Sequence, residues 1–290
     1  MLLHFTKMEG CGNDYIYING FEEKVPDEQK PALARRLSDR HFGIGGDGLI
    51  FINPGRTAPF EMEMYNRDGS RGAMCGNGMR CVAKYLYDSR MTDRKEFLIE
   101  SFGRARAVRV FPGEDGLAAE VTVHMGAPAL EPSRIPFLRD DRTRESEPVV
   151  SEPIVVLGQN WDITCVSMGN PHAVVILPRE TALARMDLTG IGPAFEQNPH
   201  FPERVNTEFV RPVDAEHVEM RVWERGSGET LACGTGCCAA AVACALNGVT
   251  GDRVYVRVPG GELLVEWDRE RDEVLLTGPA RTVFEGTVEL

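Results

Sequence analysis

Short runs of alternating or continuous apolar residues, bounded by Gly, Pro, Asn and Asp, recur along the chain at strand length and predict a protein dominated by β-structure. In the first half they are Tyr15 to Asn19, Leu49 to Ile52, Phe60 to Tyr65, Phe97 to Glu100, Ala105 to Phe111 and Ala118 to His124. In the second half they are Ile154 to Leu157, Ile163 to Ser167, Ala173 to Leu177, Thr207 to Arg211, Val218 to Trp223, Val254 to Val258, Leu263 to Trp267 and Val274 to Thr277. The opening MLLHFTKMEG reads as an edge strand running into the fold, and PGGE at 259 to 262 as a hairpin turn. Helical patterns are few. Asp27 to Arg40 is one, with Asp27 as its N-cap, and Met79, Val82, Tyr85 and Leu86 form the apolar stripe of a second. A third starts within ACGTGCCAA (232 to 240), is apolar on nearly every side and stops at Asn247-Gly248, a good C-cap pair. A helix without a polar face belongs in an interior. The segment Glu131 to Pro153, rich in Pro, Arg, Asp and Glu and without a period, reads as a connection between two domains.

Composition bounds the function more than the fold. At 290 residues, with 42% apolar and 26% charged residues, the chain can bury an adequate core as one large domain or two halves. No apolar run approaches the roughly 18 residues of a membrane span, and the N-terminus is too short and polar for a signal peptide. A cytoplasmic protein that does not engage a membrane is the expectation. The net charge of -12, without clustered Lys and Arg, argues against nucleic acid as a partner. In a reducing compartment the eight cysteines are expected as free thiols, most of them plain buried residues.

One pattern occurs twice. AMCGNGM (73 to 79) and LACGTGC (231 to 237) both carry Cys-Gly-x-Gly entering a helix, and their surroundings align. Asn66-Arg67 matches Glu224-Arg225, each pair starting nine residues before its cysteine, and His41-Phe42 matches His200-Phe201. Gly12-Asn13 matches Gly169-Asn170, with Asn to Cys separations of 62 and 63. Turn glycines alone would explain a shared backbone but not a shared cysteine, so an internal duplication is inferred. Two equivalent thiols would then face each other across the cleft between halves.

A thiol invites several chemistries. No metal is expected, because Cys233, Cys237 and Cys238 lack C-x-x-C spacing and the six histidines form no H-x-x-x-H pair. GIGGDG (43 to 48) spells a dinucleotide fingerprint, but it follows a helix and leads into a strand, the reverse of the required order. It reads as a glycine-rich loop lining something small. A nucleophilic cysteine with His172 as base leaves the second Cys-Gly-x-Gly without a role. The paired reading uses both thiols. A thiol at a helix N-terminus is expected to have its pKa lowered by the macrodipole and free N–H groups, and two such helix ends could clamp one carboxylate. One thiolate would take an amino acid's α-proton while the opposite thiol protonates the other face. No cofactor signal accompanies this pattern.

These residues resemble the diaminopimelate epimerase family, cofactor-independent two-base epimerases. The resemblance spans nearly the whole chain: KMEGCGNDY, HFGIGGDG, NRDGS, MCGNGMRC, GNPHAV, VNTEF, WERGSGETLACGTG and GPARTVFEG. It implies an α+β fold of two pseudo-symmetric domains from an internal duplication, each a mostly antiparallel sheet wrapped around a central helix. The expected halves are residues 1–129 plus 278–290, the last segment returning as a strand, and residues 130–277. The resemblance implies interconversion of LL- and meso-diaminopimelate, in lysine and cell-wall precursor biosynthesis, by a homodimer. It implies Cys75 and Cys233 as the acid/base pair, tuned by His172 and Glu224. Substrate would be held by Asn13, Asn66, Gly76, Asn77, Asn170, Asn206, Glu224, Arg225, Gly234 and Thr235. Arg225 suits a distal carboxylate, and Glu224 with asparagine carbonyls a distal ammonium. Gly48 departs from relatives that carry Gln there, so one distal contact is absent. A proline or hydroxyproline racemase remains the alternative, although that group has Cys-Gly-His where this chain has Asn77. A non-enzymatic small-ligand binder on the same fold would not require both thiols.

Overall fold

Burial alternates along the strand runs at 218–223, 254–258 and 263–267 and is nearly continuous along those at 49–52, 173–177 and 207–211, and the computed structural model describes residues 2–290. The chain forms two compact units, one running to His124 and resuming at Thr277–Leu290, the other Met125–Leu276. In the first unit the order is β1 (Leu2–Gly10), β2 (Asn13–Asn19), α1 (Lys30–Ser38), β3 (Gly48–Pro54), β4 (Phe60–Asn66), β5 (Arg71–Gly72), α2 (Gly76–Asp88), β6 (Glu96–Ser101), β7 (Arg104–Pro112) and β8 (Ala118–Gly126). The second holds β9 (Glu152–Val156), β10 (Gln159–Ser167), β11 (Pro171–Ile176), α3 (Leu188–Glu196), β12 (Asn206–Pro212), β13 (His217–Glu224), β14 (Gly228–Thr230), α4 (Gly234–Leu246), β15 (Arg253–Val258) and β16 (Gly261–Asp268). β17 (Glu273–Pro279) leads back, and β18 (Arg281–Glu289) completes the first unit.

The two units repeat one pairing scheme. In the first, β2 and β3 are parallel, β3 and β4 antiparallel, β5 folds back on β4, and β4 and β6 are parallel before the antiparallel β6–β7 pair. In the second, β11 and β12, β12 and β13, β13 with β14, β13 and β15, and β15 and β16 follow the same sequence of directions. Every other pairing with a stated register is antiparallel. The fold class is α+β, mostly sheet, with four α-helices among the described residues. None of them is long and apolar enough to cross a membrane.

Each unit builds its sheet around the helix that follows its Cys-Gly-x-Gly. α4 is made of Gly, Ala, Cys and other small residues, and its residues from Gly236 to Cys244 are all buried against β10, β11, β12, β13, β15 and β16. Small side chains let strands approach on all sides. α2 is likewise buried against β1, β2 and β7, although it carries Arg80, which has no exposed surface.

Four expectations need correction. β1 is not an edge strand: it pairs with β2 on one side and β18 on the other. Helix α1 starts at Lys30 rather than after Asp27, because the Asp27 carboxylate is taken by the Lys30 ammonium at 2.6 Å and Gln29 stands at the cap. A fourth helix, α3, was hidden by two glycines and Pro193; Asp187 starts it, accepting from the Gly190 N–H at 3.1 Å. The expected connection Glu131 to Pro153 is a folded part of the second unit. Its Ile135, Phe137 and Val149 join that unit's core, and its aperiodic chain turns around the buried Arg139 guanidinium.

Candidate active site

In the first unit, Cys75 is the N-cap of α2. Its backbone is extended, at φ -139° and ψ 111°, and its sulfur accepts the Gly78 N–H at 3.3 Å, so the thiol lies at the positive end of the helix. The thiol donates to Asn13 Oδ1 at 3.3 Å, and Asn77 Nδ2 reaches the same oxygen at 3.4 Å. Two charged groups fix those amides. Asp47 Oδ2 accepts from Asn13 Nδ2 at 2.7 Å, and Arg80 Nη2 donates to Asn77 Oδ1 at 2.9 Å. Asp47 is itself held by Arg40, which also grips Asp14. The glycine loop at 43 to 48 thus delivers a carboxylate to Asn13, while its Gly45 carbonyl accepts from Lys7.

Gly76 opens the helix beside these groups. Asn66 stands at the end of β4, where its side chain donates to Ser70 Oγ at 3.0 Å. Gly48 sits between Tyr15 and Asn66 in the strand register. A Cβ at Gly48 would overlap the Tyr65 carbonyl and come within 2.8 Å of the Tyr15 ring, so the Tyr15 ring fills the space a side chain would need.

In the second unit, Cys233 caps α4 in the same way, with φ -117°, ψ 109° and the Gly236 N–H at 3.4 Å. Thr235 Oγ1 is 3.4 Å from the sulfur and accepts from Asn170 Nδ2 at 3.2 Å. Asn170 Oδ1 lies 3.0 Å from His172 Nε2, and His172 Nδ1 lies 2.7 Å from Glu208 Oε1. Thr235 therefore stands where Asn77 stands in the first unit, and Asn170 where Asn13 stands. Asn206 ties β11 to the end of β13: its Nδ2 donates to the Pro171 carbonyl at 2.8 Å and its Oδ1 accepts the Arg225 N–H at 2.9 Å. The Arg225 guanidinium donates to the Glu203 carbonyl at 2.9 Å. Glu224 accepts from Thr230 and bonds to the Cys233 thiol, and Gly234 opens the helix.

Electrostatics at Cys233 run against the expectation of a lowered pKa. Burial pushes the thiol well above its ordinary value, and the Glu224 and Glu208 carboxylates add to the rise; the bonds from Thr235 and the Gly236 N–H oppose them and lose. Burial likewise raises the Glu224 carboxyl, with the Thr230 bond opposing. The helix end is favourable to a thiolate, but desolvation and two nearby carboxylates outweigh it.

Three residues that the sequence did not single out belong to these networks: Asp47, Arg80 and Glu208. Asp47 stood inside a quoted loop and Arg80 inside MCGNGMRC. Glu208 carried no signal of its burial, since a glutamate between Thr207 and Phe209 reads as the solvent face of an alternating strand, yet it is fully buried. Among the described residues, no group of three or more His, Cys, Asp or Glu could hold a metal ion.

The diaminopimelate epimerase model matches residues 5–131 and 164–283. A diaminopimelate epimerase from Desulfovibrio desulfuricans is 50% identical over 285 residues, covering 98% of this chain and 97% of its own. Another, from Agathobacter rectalis, is 47% identical over 290 residues, covering 99% of this chain and all of its own. Among solved structures, a Bacillus anthracis phenazine biosynthesis protein of the PhzF family aligns at a TM-score of 0.70 with 14% identity, over all of both chains. A hydroxyproline epimerase from Agrobacterium vitis aligns at 0.67 with 17% identity, over 99% of this chain and 91% of that one. At such identities the structures share the fold and nothing more is read from them. The two sequence relatives carry the assignment: the chain belongs to the diaminopimelate epimerase family, a family of amino acid epimerases within the isomerases.

Proposed function

We propose that this protein interconverts LL- and meso-diaminopimelate by proton transfer at one α-carbon, without a cofactor, with Cys75 and Cys233 as the two bases. The observation that supports this reading is the repeated cap. Each unit presents one thiol at the N-terminus of its buried helix, with an asparagine amide and a second polar side chain beside it.

Inversion of a tetrahedral carbon needs a base on one face and an acid on the other, and the chain supplies one thiol from each half. The thiolate takes the α-proton, the electron pair of the broken C–H bond delocalises into the substrate carboxylate, and the opposite thiol returns a proton to the carbon. The first N–H groups of α2 and α4, at Gly76, Asn77, Gly234 and Thr235, suit a carboxylate whose negative charge grows in that step. In the free protein, Cys233 is held in the thiol form by its burial and by Glu224 and Glu208, which suits it to give a proton. Asn13 and Asn170 orient the thiols and the substrate, and His172 with Glu224 tunes them. Arg225 answers the distal carboxylate, and Glu224, Asn66 and Asn206 supply oxygens for a distal ammonium. We place this activity in lysine and cell-wall precursor biosynthesis, in a cytoplasmic homodimer, on the strength of the family alone.

Incubation with LL-diaminopimelate in heavy water under reducing conditions tests the reading. Meso product carrying deuterium at the inverted carbon is the expected result. Absence of both exchange and inversion overturns it.

A further inference from the structure

Glu208 and His172 are both completely buried, and Glu208 Oε2 has no hydrogen-bond partner. A carboxylate without contact with water is costly to keep and is retained only where something compensates. The other unit supplies an internal control. His172 pairs with Asn206 across the parallel β11–β12 ladder as Tyr15 pairs with Gly48 across β2–β3, and two residues on, Glu208 corresponds to Ile50. The helix packed against them agrees. A Cβ at Gly78 of α2 would meet Ile50 Cδ1 at 2.8 Å, and a Cβ at Gly236 of α4 would meet Glu208 Oε1 at 2.6 Å. The same sheet-to-helix contact is therefore built once with Tyr15 and Ile50 and once with His172 and Glu208. The fold does not require the buried pair.

From Glu208 an unbroken set of contacts leads to the thiol: Glu208 to His172, His172 to Asn170, Asn170 to Thr235, and Thr235 to Cys233. We propose that Glu208 is a positioning residue for the Cys233 half of the site, its carboxylate accepting the Nδ1–H of His172 so that the imidazole fixes the Asn170 carboxamide against Thr235 and Cys233. Both neighbours of the ring are acceptors, a carboxylate oxygen at Nδ1 and an amide oxygen at Nε2, so the ring bridges them by donating from both nitrogens, and Glu208 sets the direction in which it is anchored. The unpartnered Oε2 marks a group placed for this one contact rather than for general packing.

The proposal rests on the epimerase reading, and its test separates the two. Glu208→Ile copies the residue of the first unit, and Glu208→Gln keeps the shape. Both are expected to fold, to lose at least tenfold in kcat with KM changed less than threefold, and to change the iodoacetamide alkylation rate of Cys233 threefold or more while that of Cys75 stays constant. Peptide mapping of the alkylated protein distinguishes the two thiols and needs no substrate, so it reports on Glu208 even if diaminopimelate is not turned over. Because Glu208 acts through His172, the variant His172→Tyr with Glu208→Ile should be no worse than His172→Tyr alone. Wild-type turnover and unchanged Cys233 alkylation in both Glu208 variants overturn the proposal, as do additive losses in the double variant. Failure of Glu208→Ile to fold also overturns it, since the internal control would then be wrong.

Discussion

Asn13 Nδ2 donates to Asp47 Oδ2 at 2.7 Å, which turns the other end of the same amide, Oδ1, towards the Cys75 thiol. An amide can rotate by half a turn with little change in shape, so a carboxylate on one end is what decides which atom the thiol meets. Replacing Asp47 by Ala removes that decision. Hydrogen bonds to charged groups contribute about 1.5–3 kcal/mol when buried, and Asp47 is partly exposed, so a loss of about 1–2 kcal/mol is expected, roughly 5- to 30-fold in kcat/KM. Asp14 keeps both Lys7 and Arg40, so the fold should be little affected. Steady-state kinetics alongside thermal unfolding check this. An unchanged kcat/KM would mean that Asn13 is oriented without Asp47.

Substitution of either capping cysteine separates chemistry from folding. Each sulfur accepts one weak N–H bond at the start of its helix, and loss of a cap costs about 1 kcal/mol. Cys75→Ala and Cys233→Ala are therefore expected to stay folded. Removal of a general acid or base costs about 10²- to 10⁴-fold, and with two bases required for inversion each variant should lose epimerisation at the upper end of that range. Circular dichroism and a coupled rate assay on the same preparation measure both quantities. A folded variant with more than a tenth of the original rate excludes that thiol as acid or base.

Much of this is legible in the amino-acid sequence, and what is not has physical causes. Between β2 and β17 every strand of four residues or more was visible because strand-length apolar patterning is local, and the twin helices because Cys-Gly-x-Gly recurs with its flanking anchors. The two-residue β5 and three-residue β14 are too short to show a period. The orienting groups escaped for another reason. Asp47 meets Asn13 across 34 residues and Glu208 meets His172 across 36, through strand registers that no spacing in the sequence encodes. The raised thiol at Cys233 was missed because helix-end electrostatics can be read from a motif, whereas burial and the Glu208 carboxylate come only with packing.

Buried thiols also predict how stability responds to alkali. Burial raises Cys81 and Cys244 from an ordinary value of 9.0 to about 12. Below pH 9 these thiols hold their protons whether the chain is folded or not, and their contribution is fully present. Between 9 and about 12 the unfolded chain releases protons that the folded one retains, so unfolding becomes easier as pH rises, by about 1.4 kcal/mol per pH unit for each thiol. Urea denaturation at a series of pH values from 8 to 11 should show that decline. Cys244→Ala should flatten its slope, whatever the variant does to stability at pH 8; an unchanged slope would rule out Cys244 as a contributor.

Arg139 gives the sharpest prediction about the segment that had looked like a connection. Its side chain is 2% exposed, binds Glu152 through Nε at 2.9 Å and Nη2 at 3.0 Å, and donates to the carbonyls of Arg144, Glu147 and Pro148. One planar fork thus anchors a stretch whose own hydrogen-bonded structure is two single-turn 3-10 helices, Pro132–Arg134 and Arg142–Arg144, and places Phe137 and Val149 in the core. Removing one partner of a buried pair costs about 3–5 kcal/mol, and since Glu152 would keep Arg144 Nη1 at 3.6 Å the lower end of that range applies. Arg139→Ala should lose that much in chemical denaturation and open 131–153 to proteolysis. Lysine carries the charge but cannot span the carboxylate and three carbonyls at once, so Arg139→Lys should recover less than half of the loss. A loss below about 1 kcal/mol for alanine would show that the apolar contacts alone hold the segment.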